Sequence, residues 1–291
     1  MKPAAFDYHQ PNSVDEALAI YAACEDARFL AGGQSLVPMM SLRLATPTDL
    51  IDLNKIEQLS GISSSDGYIR IGAMTRQEEL AVNGQLCTQV PVMRAIIESV
   101  GHPGTRTRGT IGGSLCHADP AAEIPALLLT LDAELLIAQQ DGTTRSIPIE
   151  DFFRGHFETA LRPDEILIEI RIPTASGRHM GFNEITARSS DFAMAGAIAS
   201  AHPENDGTFS AIRIVTFALR DRPQRLREVE SAVTDAQGDV ASIRLAAQLT
   251  EGLISPREEV HLSTAYRRRL AAIVVRRALE SAVGHLSEVN L

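Results

Sequence analysis

Cysteine and aromatic residues are scarce in this sequence. Its 291 residues contain three cysteines, no tryptophan and 4% aromatic residues. Cys24, Cys87 and Cys116 are widely spaced and odd in number, a pattern typical of reduced thiols rather than of a disulfide framework. An iron-sulfur cluster usually takes four closely spaced thiolates, so we expect this chain to hold none by itself. Few aromatic rings also leave few stacking platforms for bases or sugars.

An excess of basic residues is also missing. Asp and Glu number 37 against 27 Lys and Arg, which gives a net charge of -10 and argues against a nucleic-acid partner. The basic residues at 267 to 269, 276 and 277 are interpreted as the polar side of a helix. No uncharged run approaches the ~18 residues that span a bilayer, and the first residues lack the apolar run of a signal peptide. These absences predict a cytoplasmic protein without an integral membrane segment.

The pattern of apolar residues predicts an α+β fold in three parts. Residues 1–55 form a small α/β unit, in which a capping box at Ser13 to Glu16 opens a helix and strand-like runs lie at 27–31 and 49–53. Residues 56–175 form a second α/β unit that begins with Ser- and Gly-rich turns. Residues 176–291 place strands before three helical stretches, at 222–233, 240–253 and 263–283.

A first glycine-rich segment follows the strand at 27–31. Glycines permit positive φ and close approach of a ligand to the backbone, and successive N–H groups can converge on an anion such as a diphosphate. The segment lacks the spacing of a Rossmann turn or a Walker A loop, and Val37 stands where the elbow of a serine hydrolase needs a small residue. Alone it could equally be a tight turn. The segment consists of Ala31, Gly32, Gly33, Gln34, Ser35 and Leu36.

A second segment, at 107–114, repeats this chemistry of small residues, hydroxyl groups and free backbone donors. Two such loops at the ends of two predicted units could clasp an elongated diphosphate from both sides, with Arg106 or Arg108 as the neutralising charge. The candidate binding residues here are Thr110, Ile111, Gly112, Gly113 and Ser114.

A third segment contains His117, Asp119 and Glu123, which have atoms suited to a metal ion. They lack companion ligands elsewhere, so a different interpretation is favoured. Asp119 precedes Pro120 and is expected to cap a helix, with Glu123 as an acid in its first turn. Either acid could also accept hydrogen bonds from sugar or ribityl hydroxyls.

Three motifs together resemble a known family. They are A-G-G-Q-S-L at 31–36, T-I-G-G-S at 110–114 followed by A-D-P-A-A-E-I-P at 118–125, and R-S-S-D-F-A at 188–193. In this order they resemble the FAD-binding medium subunit of the molybdenum hydroxylases, the xanthine dehydrogenase and carbon monoxide dehydrogenase family, over nearly the whole chain. The resemblance implies a two-part FAD-binding domain like that of the vanillyl-alcohol oxidase group, followed by an antiparallel sheet with a helix bundle.

The resemblance also implies a site, a cofactor and partners. Non-covalently bound FAD would lie on the two glycine-rich segments, with Glu123 near the ribityl chain or diphosphate, Leu167 lining the site, and Asp191 with Phe192 near the isoalloxazine ring. No side chain of this chain need act as an acid or base. The [2Fe-2S] clusters would belong to a small partner subunit and the molybdopterin to a large one, in an (αβγ)2 assembly. The chain would pass electrons from the clusters to an external acceptor.

Some positions depart from the family pattern. Ser114 stands where many relatives have Asn, Phe192 where Tyr is frequent, and Asn183 with Glu184 where a Lys is common. Two other functions remain open. The chain could be an assembly subunit that has lost its cofactor, or a stand-alone FAD oxidase.

Overall fold

The computed structural model describes residues 2–175, 177–205, 208–235, 240–256 and 262–284, which form the predicted α+β fold. Its first part contains a parallel sheet with the strand order β1-β3-β2. Ser13 caps the first helix by accepting the N–H of Glu16, as its capping box predicts. The elements are β1 (Asp7–His9), α1 (Val14–Ala23), β2 (Ala27–Leu30), α2 (Leu36–Ser41) and β3 (Asp49–Asp52).

The second part is an antiparallel sheet covered by helices. Its strands follow the order β4-β5-β10-β6-β7, and β10 pairs with both β5 and β6. Ile69 and Ile71 alternate with polar residues and pack into the same core as Leu127 of α8. The elements are β4 (Ile62–Ser65), β5 (Tyr68–Gly72), α3 (Gln77–Val82), α4 (Gly84–Gln89), α5 (Met93–Ser99), α6 (Pro103–Arg106), α7 (Ile111–His117), α8 (Glu123–Thr130), β6 (Glu134–Gln139), β7 (Thr144–Pro148), β8 (Phe153–Gly155), β9 (Glu158–Thr159) and β10 (Glu165–Pro173).

The third part packs helices on one face of an antiparallel sheet with the order β11-β12-β13-β14. A Cβ added at Gly181 of the first strand would lie 2.0 Å from the carbonyl oxygen of Ala278, so glycine permits the last helix to lie directly on the sheet. The elements are β11 (His179–Thr186), β12 (Ala193–Pro203), β13 (Phe209–Phe217), β14 (Gln224–Arg225), α9 (Arg227–Asp235), α10 (Val240–Leu253) and α11 (Thr264–Ala282).

The structure corrects several sequence predictions. The segment at 107–114, expected to be a loop, runs into α7, and the helix expected from 222 begins at Arg227 because β14 precedes it. Asp119 does not cap α8: its Oδ1 accepts the N–H of Ala121 in a turn, and the helix begins later, at Glu123. Arg267 does not lie on a polar helix face, because it is 5% exposed and donates to the carbonyl oxygen of Ala218.

The second predicted boundary falls on residue 176, which lies outside the described residues, as do 285–291 of the predicted third part. Within the described part of the chain, no helix combines the length and the apolar character needed to cross a lipid bilayer.

Candidate functional site

The two glycine-rich segments meet in the structure. The first leaves the end of β2, and a Cβ added at Gly32 would lie 2.3 Å from the carbonyl oxygen of Arg108 and 2.8 Å from the Cα of Gly109. A Cβ added at Gly113 would lie 3.4 Å from the Cβ of Ala31. Since real Cβ atoms do not approach backbone atoms as closely as 2.3 Å, a glycine at position 32 is required for this contact.

A cavity of about 310 Å³ opens beside this contact. Arg108 is exposed and is one of the residues that line the cavity, whereas the Nη1 of Arg106 donates to the carbonyl oxygens of Val100 and Gly101 at 3.1 and 2.8 Å. Of the two arginines named from the sequence, Arg108 is therefore the one that lines the cavity. The cavity is lined by Leu30, Ala31, Gly32, Gly33, Gln34, Val37, Pro38 and Arg108.

The backbone of the first segment keeps its donors available. Gly33 has a positive φ of 73°, and within the described part of the chain the N–H groups of residues 32 to 36 donate to no protein acceptor. Ser35 precedes α2 without capping it through its side chain, and Gln34 donates its side-chain amide to the carbonyl oxygen of Gly32 at 3.3 Å. A row of unpaired amides beside a cationic side chain suits an anionic ligand.

The second segment differs from the prediction of free backbone donors. Its N–H groups are used inside the protein: Ile111 donates to Thr75 at 3.1 Å, Gly112 to Ala73 at 2.8 Å and Gly113 to the Thr110 hydroxyl at 3.0 Å. The segment is the start of α7 and not a loop. The first N–H groups of a helix have no partner within the helix, and here the backbone of residues 73 and 75 and the side chain of Thr110 accept them. Its small residues allow the backbone to pack closely, since a Cβ at Gly112 would lie 2.6 Å from the Ala73 carbonyl oxygen.

A polar network that the sequence reasoning missed fixes the two segments to each other. The Asn54 amide donates to the Ala31 carbonyl oxygen at 2.9 Å and accepts from Arg76 at 2.5 Å. Arg76 also donates to the Arg108 carbonyl oxygen at 2.5 Å. Burial and the neighbouring charge of Arg108 lower the pKa of Arg76. Asn54 follows the end of β3, and because parallel neighbours end at the same sheet edge, its position beside the segment after β2 was a usable signal.

The network continues to the N-terminal strand. Asp52 accepts the backbone N–H of Asn54 at 2.9 Å, and the Tyr8 hydroxyl donates to the same carboxylate. Burial alone would raise the pKa of Asp52, but the hydrogen bonds from Tyr8 and Asn54 outweigh burial and bring this pKa below its ordinary value. Asp52 therefore remains an anion that holds Asn54 in place.

Glu123 lies at the start of α8 and is 8% exposed. Burial raises the pKa of its carboxyl group to about 8, and the charges of Glu184 and Asp119 act in the same direction. Burial also raises the pKa of Glu184, one of whose carboxyl oxygens has no hydrogen-bond partner in the described part of the chain. At neutral pH Glu123 is mostly protonated and can donate a hydrogen bond. The ring of His117 packs against that of Phe157, with the two ring centroids 4.9 Å apart.

The remaining predicted residues lie on other elements. Leu167 is 4% exposed in the core of the second part, on β10 beside Ile168, whose carbonyl oxygen accepts the N–H of Ala73. Asp191 and Phe192 lie between β11 and β12, where the N–H of Asp191 donates to the Arg188 carbonyl oxygen at 3.1 Å. Phe192 is 75% exposed. Among the described residues, these three are not part of the cavity wall.

Family models match almost the whole chain. Residues 4–175 match the FAD binding domain in molybdopterin dehydrogenase, and residues 181–282 match the CO dehydrogenase flavoprotein C-terminal domain.

Similar proteins and structures cover the chain from end to end. The 6-hydroxypseudooxynicotine dehydrogenase complex subunit alpha of Paenarthrobacter nicotinovorans is 35% identical, over 97% of this chain and 96% of that one. The carbon monoxide dehydrogenase medium chain of Hydrogenophaga pseudoflava is 34% identical, over 97% and 98%. A solved structure of carbon monoxide dehydrogenase from that organism, which lacks the Mo-pyranopterin moiety, matches with a TM-score of 0.93 at 33% identity, over 99% of this chain and 100% of that one. Quinoline 2-oxidoreductase from Pseudomonas putida 86 matches equally well, with a TM-score of 0.93 at 34% identity over the same shares.

Both family models match in sequence order, and full-length relatives exceed 30% identity. The chain therefore belongs to the FAD-binding medium subunits of the molybdenum hydroxylase family, whose members are oxidoreductase components.

Proposed function

We propose that this chain holds FAD non-covalently in the cavity beside the contact between the two glycine-rich segments, and that it thereby passes electrons from the [2Fe-2S] clusters of a partner subunit to an external acceptor. When bound, the isoalloxazine ring supplies the redox chemistry. The chain binds, orients and shields the cofactor. The proposed contacts are Ala31, Gly32, Gly33, Gln34, Ser35, Leu36, Thr110, Ile111, Gly112, Gly113, Ser114, Glu123, Leu167, Asp191 and Phe192.

The close contact at Gly32 carries the proposal. A diphosphate needs backbone donors that nothing else uses, a cation, and walls without bulky side chains. The cavity wall contains Gly32, Gly33 and Arg108. Within the described part of the chain the amides of residues 32 to 36 are unpaired, and Gly113 packs against the first segment at Ala31. Since the amides of the second segment are paired inside the protein, its proposed contribution is close packing and the hydroxyl of Ser114. The residues of the cavity thus fit the diphosphate of FAD.

Glu123, Asp191 and Phe192 are proposed to act on the parts of FAD beyond the diphosphate. Protonated Glu123 would donate a hydrogen bond to the ribityl chain, and Phe192 would offer its exposed ring to the isoalloxazine. Arg76 and Asn54 join this set as positioning residues, because they hold the backbone of both segments without facing the cavity.

The proposal extends to the partners, the location and the organisation of the chain. We propose a small iron-sulfur subunit and a large molybdopterin subunit as partners, an (αβγ)2 assembly, a cytoplasmic location, and the divisions 1–55, 56–175 and 176–291. The names of the relatives support partner subunits, since they describe a complex subunit and medium chains.

Flavin absorption of the purified full chain, with the flavin released by denaturation and identified, tests the proposal. We expect one FAD per chain. Gly33→Val should lose the flavin while the chain still folds cooperatively, because a β-branched residue is strained at a φ of 73° and its side chain crowds the segment. A folded wild-type chain without flavin would indicate the cofactor-free assembly subunit. Flavin-dependent oxidation of alcohols or sugars by the chain alone would indicate the stand-alone oxidase.

A further inference from the structure

A second cluster of chemically competent side chains lies in the first part of the chain, away from the flavin cavity. His9 is in β1, Cys24 follows the end of α1, and Asp49 begins β3. The Nε2 of His9 lies 2.8 Å from the Oδ1 of Asp49, and one ligand atom from each of the three residues lies within 4.8 Å of the others. All three are half-buried, so solvent reaches the group.

The three side chains supply atoms of the types that bind zinc in proteins. Imidazole nitrogen, thiolate sulfur and carboxylate oxygen are the ligands of zinc, and three protein ligands with one open position are typical of sites that keep a bound water. With zinc bonds of about 2.0 to 2.3 Å, ligand atoms in a tetrahedron stand roughly 3.3 to 3.7 Å apart. Binding therefore needs the Cys24 sulfur to approach by about 1.5 Å at most and the His9 and Asp49 atoms to separate by about 0.5 Å. The sulfur ligand disfavours Mg²⁺ and Ca²⁺.

The surroundings orient the carboxylate and favour a cation. The Thr48 hydroxyl donates to the other carboxylate oxygen of Asp49 at 2.8 Å, and the backbone N–H of Thr48 is fixed on the Asp26 carbonyl oxygen at 3.0 Å. Hydrogen bonds of this kind, made to a metal ligand by a neighbouring residue, fix the orientation of the ligand. Asp7 adds a negative charge close enough to act on Cys24.

We propose that His9, Cys24 and Asp49 form a site for a thiophilic divalent cation, with Zn²⁺ as the expected ion. Coordination breaks the His9 to Asp49 hydrogen bond and replaces the thiol proton of Cys24, which passes to solvent. The ion joins β1, α1 and β3. Asp49 lies opposite Ala27 at the start of β2, whereas Gly32 follows the end of β2, so Asp49 and the cavity proposed for FAD lie at opposite ends of this pair of strands.

Cobalt is the probe for this site, because Co²⁺ on a thiolate gives charge-transfer and ligand-field absorption whereas Zn²⁺ is silent. We expect one Co²⁺ per full chain, tetrahedral bands with a sulfur contribution, and displacement by Zn²⁺. Cys24→Ser should abolish the bands. The matched control is Cys87→Ser, another half-buried thiol, whose Sγ lies 3.4 Å from the Ala81 carbonyl oxygen, and it should keep them.

A second variant makes the test independent of how Cys24→Ser folds. Asp49→Asn keeps the thiol and should weaken Co²⁺ binding by about tenfold or more. Zn²⁺ should raise the melting temperature of the wild-type chain and leave that of Cys24→Ser unchanged. Bands that persist without Cys24, equal losses in the Cys87 variant, or no bands in the wild type would overturn the proposal. None of these results depends on flavin binding.

Discussion

Arg108 is the arginine that lines the cavity proposed for FAD. It is exposed, and its backbone carbonyl, not its side chain, is what Arg76 holds. Replacing the side chain therefore removes a charge from the cavity and leaves the contact between the two segments intact. Arg28, exposed on β2 and absent from the cavity wall, is the matched control.

Arg108→Gln is predicted to weaken FAD binding by about 10- to 100-fold, because a charge-assisted hydrogen bond contributes roughly 1.5 to 3 kcal/mol. Equilibrium titration of the flavin-free chain measures the dissociation constant. Arg28→Gln should bind FAD as the wild type does. Equal affinity in the two variants would show that Arg108 does not contact the diphosphate.

Glu123 makes stability depend on pH in a defined direction. Its pKa is about 8 in the folded chain against an ordinary 4.5, so between these values the folded state binds more protons than the unfolded state. The free energy of unfolding should fall as pH rises from about 4.5 to 8 and level off above that range. Glu184, whose pKa is also raised, adds to the same slope.

Glu123→Gln should flatten this dependence in the flavin-free chain. Urea unfolding at several pH values measures it, and the difference between wild type and variant isolates Glu123 from the other titrating groups. Because protonated Glu123 and glutamine both lack charge, the two chains should differ least near pH 5 and most near pH 8. Parallel pH curves would contradict the predicted burial of a neutral acid.

Residue-scale contacts set the limit of what could be predicted from the sequence. Both glycine-rich segments and their proximity follow from the motifs. The parts played by Asn54 and Arg76 depend on hydrogen bonds to backbone carbonyls 23 and 32 residues away, and no local pattern specifies such contacts. The choice of Arg108 over Arg106 likewise required the path of the backbone after α5.

At the scale of elements, the strongly periodic segments were predicted and the glycine-rich helices were not. Helix α1 begins directly after the first residue of the predicted capping box, and α11 agrees with the predicted stretch at 263–283 within a few residues. In contrast, α7 contains two glycines and α2 contains Pro38, and both residue types normally argue against a helix. Thr110 stabilises α7 by accepting the N–H of Gly113 at 3.0 Å.

The contact between the first segment and the turn before α7 predicts the effect of one methyl group. Gly32→Ala should separate the two segments, because the added Cβ would lie 2.3 Å from a backbone oxygen that cannot move freely. We expect a loss of FAD binding and a melting temperature several degrees lower, which differential scanning fluorimetry would detect.

The control for this change is Gly104→Ala. Gly104 lies in α6, in the same stretch of chain, and a Cβ there would meet nothing within 4 Å. Alanine in a helix is favoured over glycine by about 1 kcal/mol, so this variant should keep FAD and be at least as stable as the wild type. If Gly32→Ala behaved like Gly104→Ala, the close packing of the two segments would not be what forms the site.

At the scale of the whole molecule, the scarcity of cysteine agrees with family membership. Medium subunits belong to larger oxidoreductases, and three separate thiols leave this chain without the usual ligands of an iron-sulfur cluster. We therefore expect the clusters that deliver electrons to be on a partner. The two matched family models follow each other along one chain, with the glycine-rich segments in the first model and the sheet under α11 in the second.

The most direct measurement compares the binding of FAD and of riboflavin to the flavin-free full chain, followed by quenching of flavin fluorescence. If the two glycine-rich segments hold the diphosphate, FAD should bind at one per chain and far more tightly than riboflavin, and Gly32→Ala should remove most of that difference. Equal affinities for FAD and riboflavin, or a preference for FAD unchanged by Gly32→Ala, would contradict the proposed site.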